Sequence, residues 1–321
     1  MKSLAPGVSP IGGRKLRAPQ GGKKWGVLAG LILGASVHAA TFFQAPINLE
    51  SPNTQSDGYF GAEGLSGVPD VNGDGVPEFA IPALCDSPNG SPSCAGRMYL
   101  YDGATRELLR ELKSPNERVD GGFGWNIAGI EDLIGNGPGE VVVGADGEER
   151  VYVMDGSDGA LIHTLNIFAR VLSPVPDVNE DGVPEIAVGT RGQARLFDGM
   201  TGALLRSLGP VGGNTSLYGW SMSGMPDVND NATGDVIVSD WMYSGSEGRA
   251  YVFDGGTGDL LHTLSAPMPR AGDEFGRSVV GLADVNGDGR GDFTVGASGN
   301  YRGNFIFDGA TGTVPPFSGS C

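Results

Sequence analysis

Histidine is scarce in this chain, three in 321 residues, and none of the three suggests a catalytic triad. His38 falls in an N-terminal leader, while His163 and His262 occupy the same slot of two repeated segments, LIHTL and LLHTL. Catalytic groups are usually singular, so this equivalence reads both as solvated strand residues. Cysteine is equally sparse. Cys85 and Cys94 bracket the turn-rich CDSPNGSPSC, a loop of the kind a short disulfide closes in an oxidising compartment, and Cys321, the last residue, is left without a partner. Basic residues number 21 against 38 acidic ones, which disfavours nucleic acid and anionic membranes as partners.

A long apolar run is also missing. The first 39 residues hold six Lys/Arg and no acid, and end in WGVLAGLILGASVHA. Its apolar stretch is well short of the roughly 20 residues that a membrane span needs. A basic lead, a short apolar run and a small-residue site have the layout of a secretory signal peptide, here residues 1–39 with cleavage near Ala39. No membrane span is expected after its removal, and the mature chain, 40–321, is read as secreted, periplasmic or cell-surface. It keeps 15 bases against 38 acids, a net charge of −23.

What the chain has in abundance is glycine, 56 residues, and acidic loops. DVNGDGVPE begins at Asp70, EDLIGNGPGE has its first ligand position at Asp132, and DVNEDGVPE, DVNDNATGD and DVNGDGRGD begin at Asp177, Asp227 and Asp284. An EF-hand needs a bidentate Glu at position 12; these loops have Ile81, Val143, Val188, Val238 and Val295 there. An acid recurs instead at position 9: Glu78, Glu140, Glu185, Asp235 and Asp292. Ca²⁺ takes six to eight oxygens, and Asp or Asn at positions 1, 3 and 5, a main-chain carbonyl at 7 and the acid at 9 supply most of them. One such loop would read equally well as an Asx-turn. Five copies with the position-9 acid point to calcium. The 13 carboxylates at these positions would repel one another without cations.

First ligand positions are spaced by 62, 45, 50 and 57 residues, a period of propeller blades or solenoid units. Each unit has one internal order. An aromatic-glycine pair (Phe60-Gly61, Phe123-Gly124, Tyr218-Gly219, Phe275-Gly276; Phe168-Ala169 in the third unit) precedes the acidic loop. An apolar strand follows (FAIPA, VVVGA, IAVGT, VIVSD, FTVGA), then a strand ending in Asp-Gly, a tight turn and a last strand such as LLREL. Four short antiparallel strands cannot bury both faces alone, so the units must stack. The fold class is therefore all-β: a five-bladed β-propeller with repeats at about 58–114, 122–167, 168–213, 218–266 and 274–318. Pro315 and Pro316 spoil a fourth strand in the last unit, and Thr41 to Pro52 has the character of the missing strand, which would close the ring.

The order aromatic-Gly, DxNxDGxxE/D and GA-like strand resembles the FG-GAP repeat of integrin α-subunit propellers, over nearly all of the mature chain. The resemblance implies calcium in the loops and protein ligands on the opposite face. By position it implies as ligands Asp70, Asn72, Asp74 and Glu78; Asp177, Asn179, Asp181 and Glu185; and Asp284, Asn286, Asp288 and Asp292. The carbonyls of Val76, Val183 and Arg290 join them at position 7. These are three strong sites. The second loop has Ile134 at position 3, leaving Asp132, Asn136 and Glu140, and is expected to bind weakly or not at all. The fourth, with Asp227, Asn229, Asn231 and Asp235, has Ala232 where the others have glycine and is expected to be intermediate. Integrin propellers carry seven such units; five are found here.

The residues outside the consensus suggest function. Trp241 and Tyr243 lie in an insertion, DWMYSGSEG, and are the candidate anchors for a protein or glycan partner, although Trp241 can also fold back onto its own blade. Trp125 and Trp220, each following the blade glycine, are expected between neighbouring blades. The leading expectation is a non-enzymatic binding or adhesion module with structural Ca²⁺. A catalytic propeller acting on extracellular polymers and a structural module of a surface assembly are the alternatives.

Overall fold

Each acidic loop leads directly into a short apolar strand, and five such strands sit at the heart of five antiparallel sheets. The computed structural model describes residues 48–53, 55, 57–62, 64–87, 90, 93–209, 217–300 and 303–314. The first sheet runs β1 (Ser66–Val68), β2 (Glu78–Ala83), β3 (Arg97–Tyr101), β4 (Leu108–Lys113). The second runs β5 (Phe123–Ile130), β6 (Glu140–Ala145), β7 (Arg150–Asp155), β8 (Leu161–Leu165). The third comprises β9 (Val171–Val175), β10 (Glu185–Gly189), β11 (Ala194–Phe197) and β12 (Leu204–Leu208). The fourth comprises β13 (Met222–Met225), β14 (Asp235–Asp240), β15 (Arg249–Asp254) and β16 (Leu260–Leu264).

The fifth sheet has three strands among the described residues: β17 (Phe275–Leu282), β18 (Asp292–Ala297) and β19 (Gly303–Phe307). Residues 315–321 and the 41–47 part of the expected closing strand lie outside the described residues. The segment Leu49–Pro52 forms no strand, and Leu49 packs on a cluster of the first sheet with Ile81, Tyr99 and Tyr101. Cys85 and Cys94 form the expected disulfide.

The core lies between sheets. Val68, Met98, Leu100 and Leu112 of the first sheet interleave with Phe123, Val141, Val143 and Tyr152 of the second, and the same alternation repeats down the array. Central strands such as β6 and β14 are therefore buried along their whole length, as apolar runs without alternation require. The outer strands β8, β12 and β16 share one half-exposed pattern.

Neighbouring sheets are locked at repeated points. The residue after each loop's first Asp (Val71, Leu133, Val178, Val228) seats against the Asp-Gly turn of the next sheet, at Gly156, Gly199, Gly255 and Gly309. Inner-strand Ser66, Ser173 and Ser223 face the next sheet; the hydroxyls of Ser66 and Ser223 accept from the amides of Gly129 and Gly281, and that of Ser173 from Gly224. The third residue of each outer strand reaches the following turn. Arg110 donates to the Ser157 and Asp158 carbonyls, and Arg206 donates to that of Gly255 at 2.7 Å. His163 and His262 use Nε2 on the carbonyls of Met200 and Gly309, both at 2.8 Å. The expectation that these histidines are merely solvated is thus corrected: their slot is an inter-sheet fastener.

The aromatic-glycine pair has the same purpose. Gly124 adopts φ 99° because a register shift follows Phe123, and a side chain there would press on the Arg97 carbonyl of the preceding sheet. Further along, Gly129 lies so near the first sheet that a methyl group would come within 3.0 Å of Gly67 and Val68. Gly67 holds the same register in its own sheet, yet a methyl group there would meet nothing within 4 Å. Gly129→Ala is accordingly expected to cost about 1–3 kcal/mol by overpacking, and Gly67→Ala no more than about 0.5 kcal/mol, in urea unfolding. Equal costs would contradict this reading of the interface.

Candidate metal centres

The five loops share one hydrogen-bond pattern. The first Asp accepts main-chain amides from positions 3, 4 and 6: Asp70 takes those of Asn72, Gly73 and Gly75 at 3.2, 2.7 and 2.7 Å. Asp132, Asp177, Asp227 and Asp284 repeat this. The Gly75 amide, foremost, holds Asp70 below the ordinary carboxylate range, as the Gly289 amide does Asp284. At position 5, Asp74, Asp181 and Asp288 each accept the amide of position 7, from Val76, Val183 and Arg290, at 2.8 to 2.9 Å.

The position-9 acid is the buried element. One oxygen of Glu78, Glu140, Glu185, Asp235 and Asp292 accepts the position-2 amide, at 2.8 Å in every loop. The other oxygen of Glu78, Glu140 and Glu185 is buried with no hydrogen-bond partner. Burial raises the pKa of Glu78, and pushes Glu140 up to about 7 and Glu185 to about 8, against the opposing position-2 amide; the loop's other carboxylates add to the rise. Asp235 is pushed up to about 7, also chiefly by burial. A buried acceptor of this sort costs free energy unless a cation or donor meets it.

Among the described residues, two loops bring three carboxylates together: Asp70, Asp74 and Glu78, and Asp177, Asp181 and Glu185, with oxygens within 4.8 Å of one another. Both sets are hard oxygen donors with an unmatched buried oxygen, and they fit a divalent cation. The trio Asp284, Asp288 and Asp292, expected to be equally strong, is not drawn together in this way. There the Asn286 amide reaches Asp288, Asp292 and Asp308, and Asp292 also accepts from Gly309, so its carboxylates are met internally.

Sequence reasoning missed the Asp of each Asp-Gly pair. Asp102, Asp198, Asp254 and Asp308 receive the amide of Asn72, Asn179, Asn229 and Asn286, and Asp155 receives that of Asn136 from position 5. With its other oxygen each caps the turn that follows, as Asp102 does by accepting from Ala104 and Thr105 at 2.8 and 2.6 Å. The signal was visible as DG in all five repeats, but its nearness to the loop appears only in three dimensions. In the fourth loop Asn231 joins Asn229 on Asp254, and Ala232 is held at φ 69°. Ile134, in the second, is exposed.

The insertion residues lie away from the loops. Trp241 folds onto Trp220 of its own sheet, edge to face at 5.6 Å, with the Arg277 guanidinium of the fifth sheet 4.3 Å from its ring. Trp220 is also covered by Arg170 of the third-sheet segment at 3.6 Å, so it lies between sheets as expected. Tyr243 lies under Arg249 at 4.0 Å. Trp125 lines a cavity of about 350 Å³ with Tyr59, Cys85 and Cys94.

Integrin α-subunits are among the proteins similar to this chain. Integrin alpha-7 of Mus musculus is 31% identical over 162 residues, 43% of this chain and 14% of that protein. Integrin alpha-10 of Homo sapiens is 34% identical over 87 residues, 26% of this chain and 8% of that protein. The chain resembles the integrin α-subunits. No family model matches it, and the matched part amounts to about one-seventh of the length of the first of these relatives. Among solved structures, the Dos1 propeller superposes with a TM-score of 0.50 at 14% identity, over 79% of this chain and 60% of that one. The fold is a β-propeller, and its repeats resemble those of the integrin α-subunits.

Two outcomes are expected of the loops. Glu140, Glu185 and Asp235 have folded-state pKa values above the ordinary range, so without metal the folded chain holds protons that the unfolded chain releases near pH 4. Stability then falls as pH rises from about 4 to about 8. Thermal melts in chelator should show a lower Tm at about pH 8.5 than at about pH 5, and added calcium should remove the difference; a pH-independent melt in chelator would contradict this. Ala232→Gly should raise stability in chelator by about 1 kcal/mol, because alanine pays the left-handed penalty; an unchanged urea midpoint would show that the strain is absent.

Proposed function

We propose that the mature chain, residues 40–321, is an exported integrin α-like propeller that binds a protein or glycan partner, with Ca²⁺ as a structural ion and no catalytic role. The observation that carries the metal reading is the buried, partnerless oxygen of Glu78 and Glu185 beside two further carboxylates. Asp70, Asn72, Asp74, Glu78 and the Val76 carbonyl hold one ion; Asp177, Asn179, Asp181, Glu185 and the Val183 carbonyl hold another. The fifth loop binds more weakly than its sequence suggests, the fourth is intermediate, and the second is the poorest. Bound cations cancel repulsion within each loop and fasten it to the Asp-Gly turn through its asparagine. The role of the ion is to stiffen one end of each blade, not to report calcium.

A binding role is supported by likeness to the integrin α-subunits and by two aromatic anchors, Trp241 and Tyr243, carried on an insertion that breaks repeat symmetry. Trp241 is engaged by Trp220 and Arg277, which makes it a rigid platform. No described arrangement of nucleophile, base and positioning group favours an enzyme. The test is capture of extracellular or cell-surface protein and glycan by the immobilised chain. Retention by the unaltered protein and at least a tenfold loss with Trp241→Ala, with the variant still folded by circular dichroism at the assay temperature, is the expected result. Equal retention by both would remove this face from the binding role.

A further inference from the structure

We propose that the trailing face of the fifth sheet docks on the leading face of the first sheet of a second copy of this chain, head to tail. At each of the four internal junctions a Val or Leu of the loop is buried against the next sheet: Val71, Leu133, Val178 and Val228 are 1–4% exposed. The fifth loop has the same residue, Val285, 58% exposed. Beside it Val280 stands in the register of the junction serines Ser66 and Ser223 and is exposed, as is Ile306 of β19. The fifth sheet therefore carries the knob of a junction and lacks its socket.

The socket is present on the first sheet. Gly67 has the register of Gly129, Gly224 and Gly281, which are glycines because the preceding sheet approaches to within 3.0 Å. At Gly67 nothing lies within 4 Å, and its φ is not in the left-handed region. No contact among the described residues requires glycine there. The Asp-Gly turn of the first sheet is likewise partly exposed at Gly103, where its four counterparts are buried.

Two further features set the leading face of the first sheet apart from the four internal junctions. At the other junctions the place on the outer part of the face is filled by Leu112, Leu165, Leu208 and Leu264 of the fourth strand; on the first sheet Leu49 joins that cluster. The turn glycines that admit the fourth-strand side chain, Gly159, Gly202, Gly258 and Gly312, are replaced by Arg106, itself at positive φ. Among the described residues the two faces do not meet, as the open Gly67 and Val285 show. The contact is heterologous, so a pair of copies keeps one free face of each kind.

Sedimentation velocity of the full chain in calcium, over a range of concentrations, tests this. The unaltered chain should self-associate, and Val285→Glu and Gly67→Leu should each abolish association while melting at the temperature of the parent. Each variant retains one intact face, so an equimolar mixture of the two should form a 1:1 pair. A parent that stays monomeric at every concentration overturns the proposal. So does association that survives both substitutions, or a mixture in which no pair forms.

Discussion

A carboxylate oxygen buried without a donor is the constraint around which this structure is arranged. The position-9 acid begins each second strand, and one of its oxygens pins the main chain of the loop at 2.8 Å. That bond sets the loop's path and directs the first Asp to gather the intervening amides. The remaining oxygen of Glu78, Glu140 and Glu185 has no protein partner. Only a proton or a cation can relieve it, and the raised pKa values of Glu140 and Glu185 express the proton's share. Where two more carboxylates stand nearby, in the first and third loops, a divalent cation is the better answer.

The loops matter to the fold because they touch the sheet-to-sheet junctions. The residue that gives its amide to the position-9 acid is the one whose side chain seats in the next sheet's Asp-Gly turn. The Asp of that motif in the loop's own sheet takes the loop asparagine. Ion binding, loop path and junction packing are therefore coupled within a few residues. A cation held by a loop would bear on the packing between blades as well as within one.

The sequence made most of this visible. The loop spacing, the strand order and the Cys85–Cys94 disulfide could be read because each rests on local residue chemistry repeated at a fixed interval. What escaped depends on proximity across the chain. His163 and His262 share a slot, but the carbonyls they reach are 37 and 47 residues away. The fifth loop has the same ligand types as the first, yet Asn286 and the Gly309 amide satisfy its acids. Trp241 could be read as an exposed anchor or a folded-back one; it packs on Trp220 and stays partly exposed, which only the fold shows. Arg106 stands where four other turns have glycines that make room for a neighbour, a difference whose meaning needs the packed sheets.

The most direct measurement is anomalous diffraction from crystals grown in calcium. Peaks are expected between Asp70, Asp74 and Glu78 and between Asp177, Asp181 and Glu185, each within about 2.6 Å of carboxylate oxygen, with the strongest density in these two loops. Crystals that show no anomalous density in either loop, with Glu78 and Glu185 still buried and unpartnered, would contradict the central claim that a cation completes these sites.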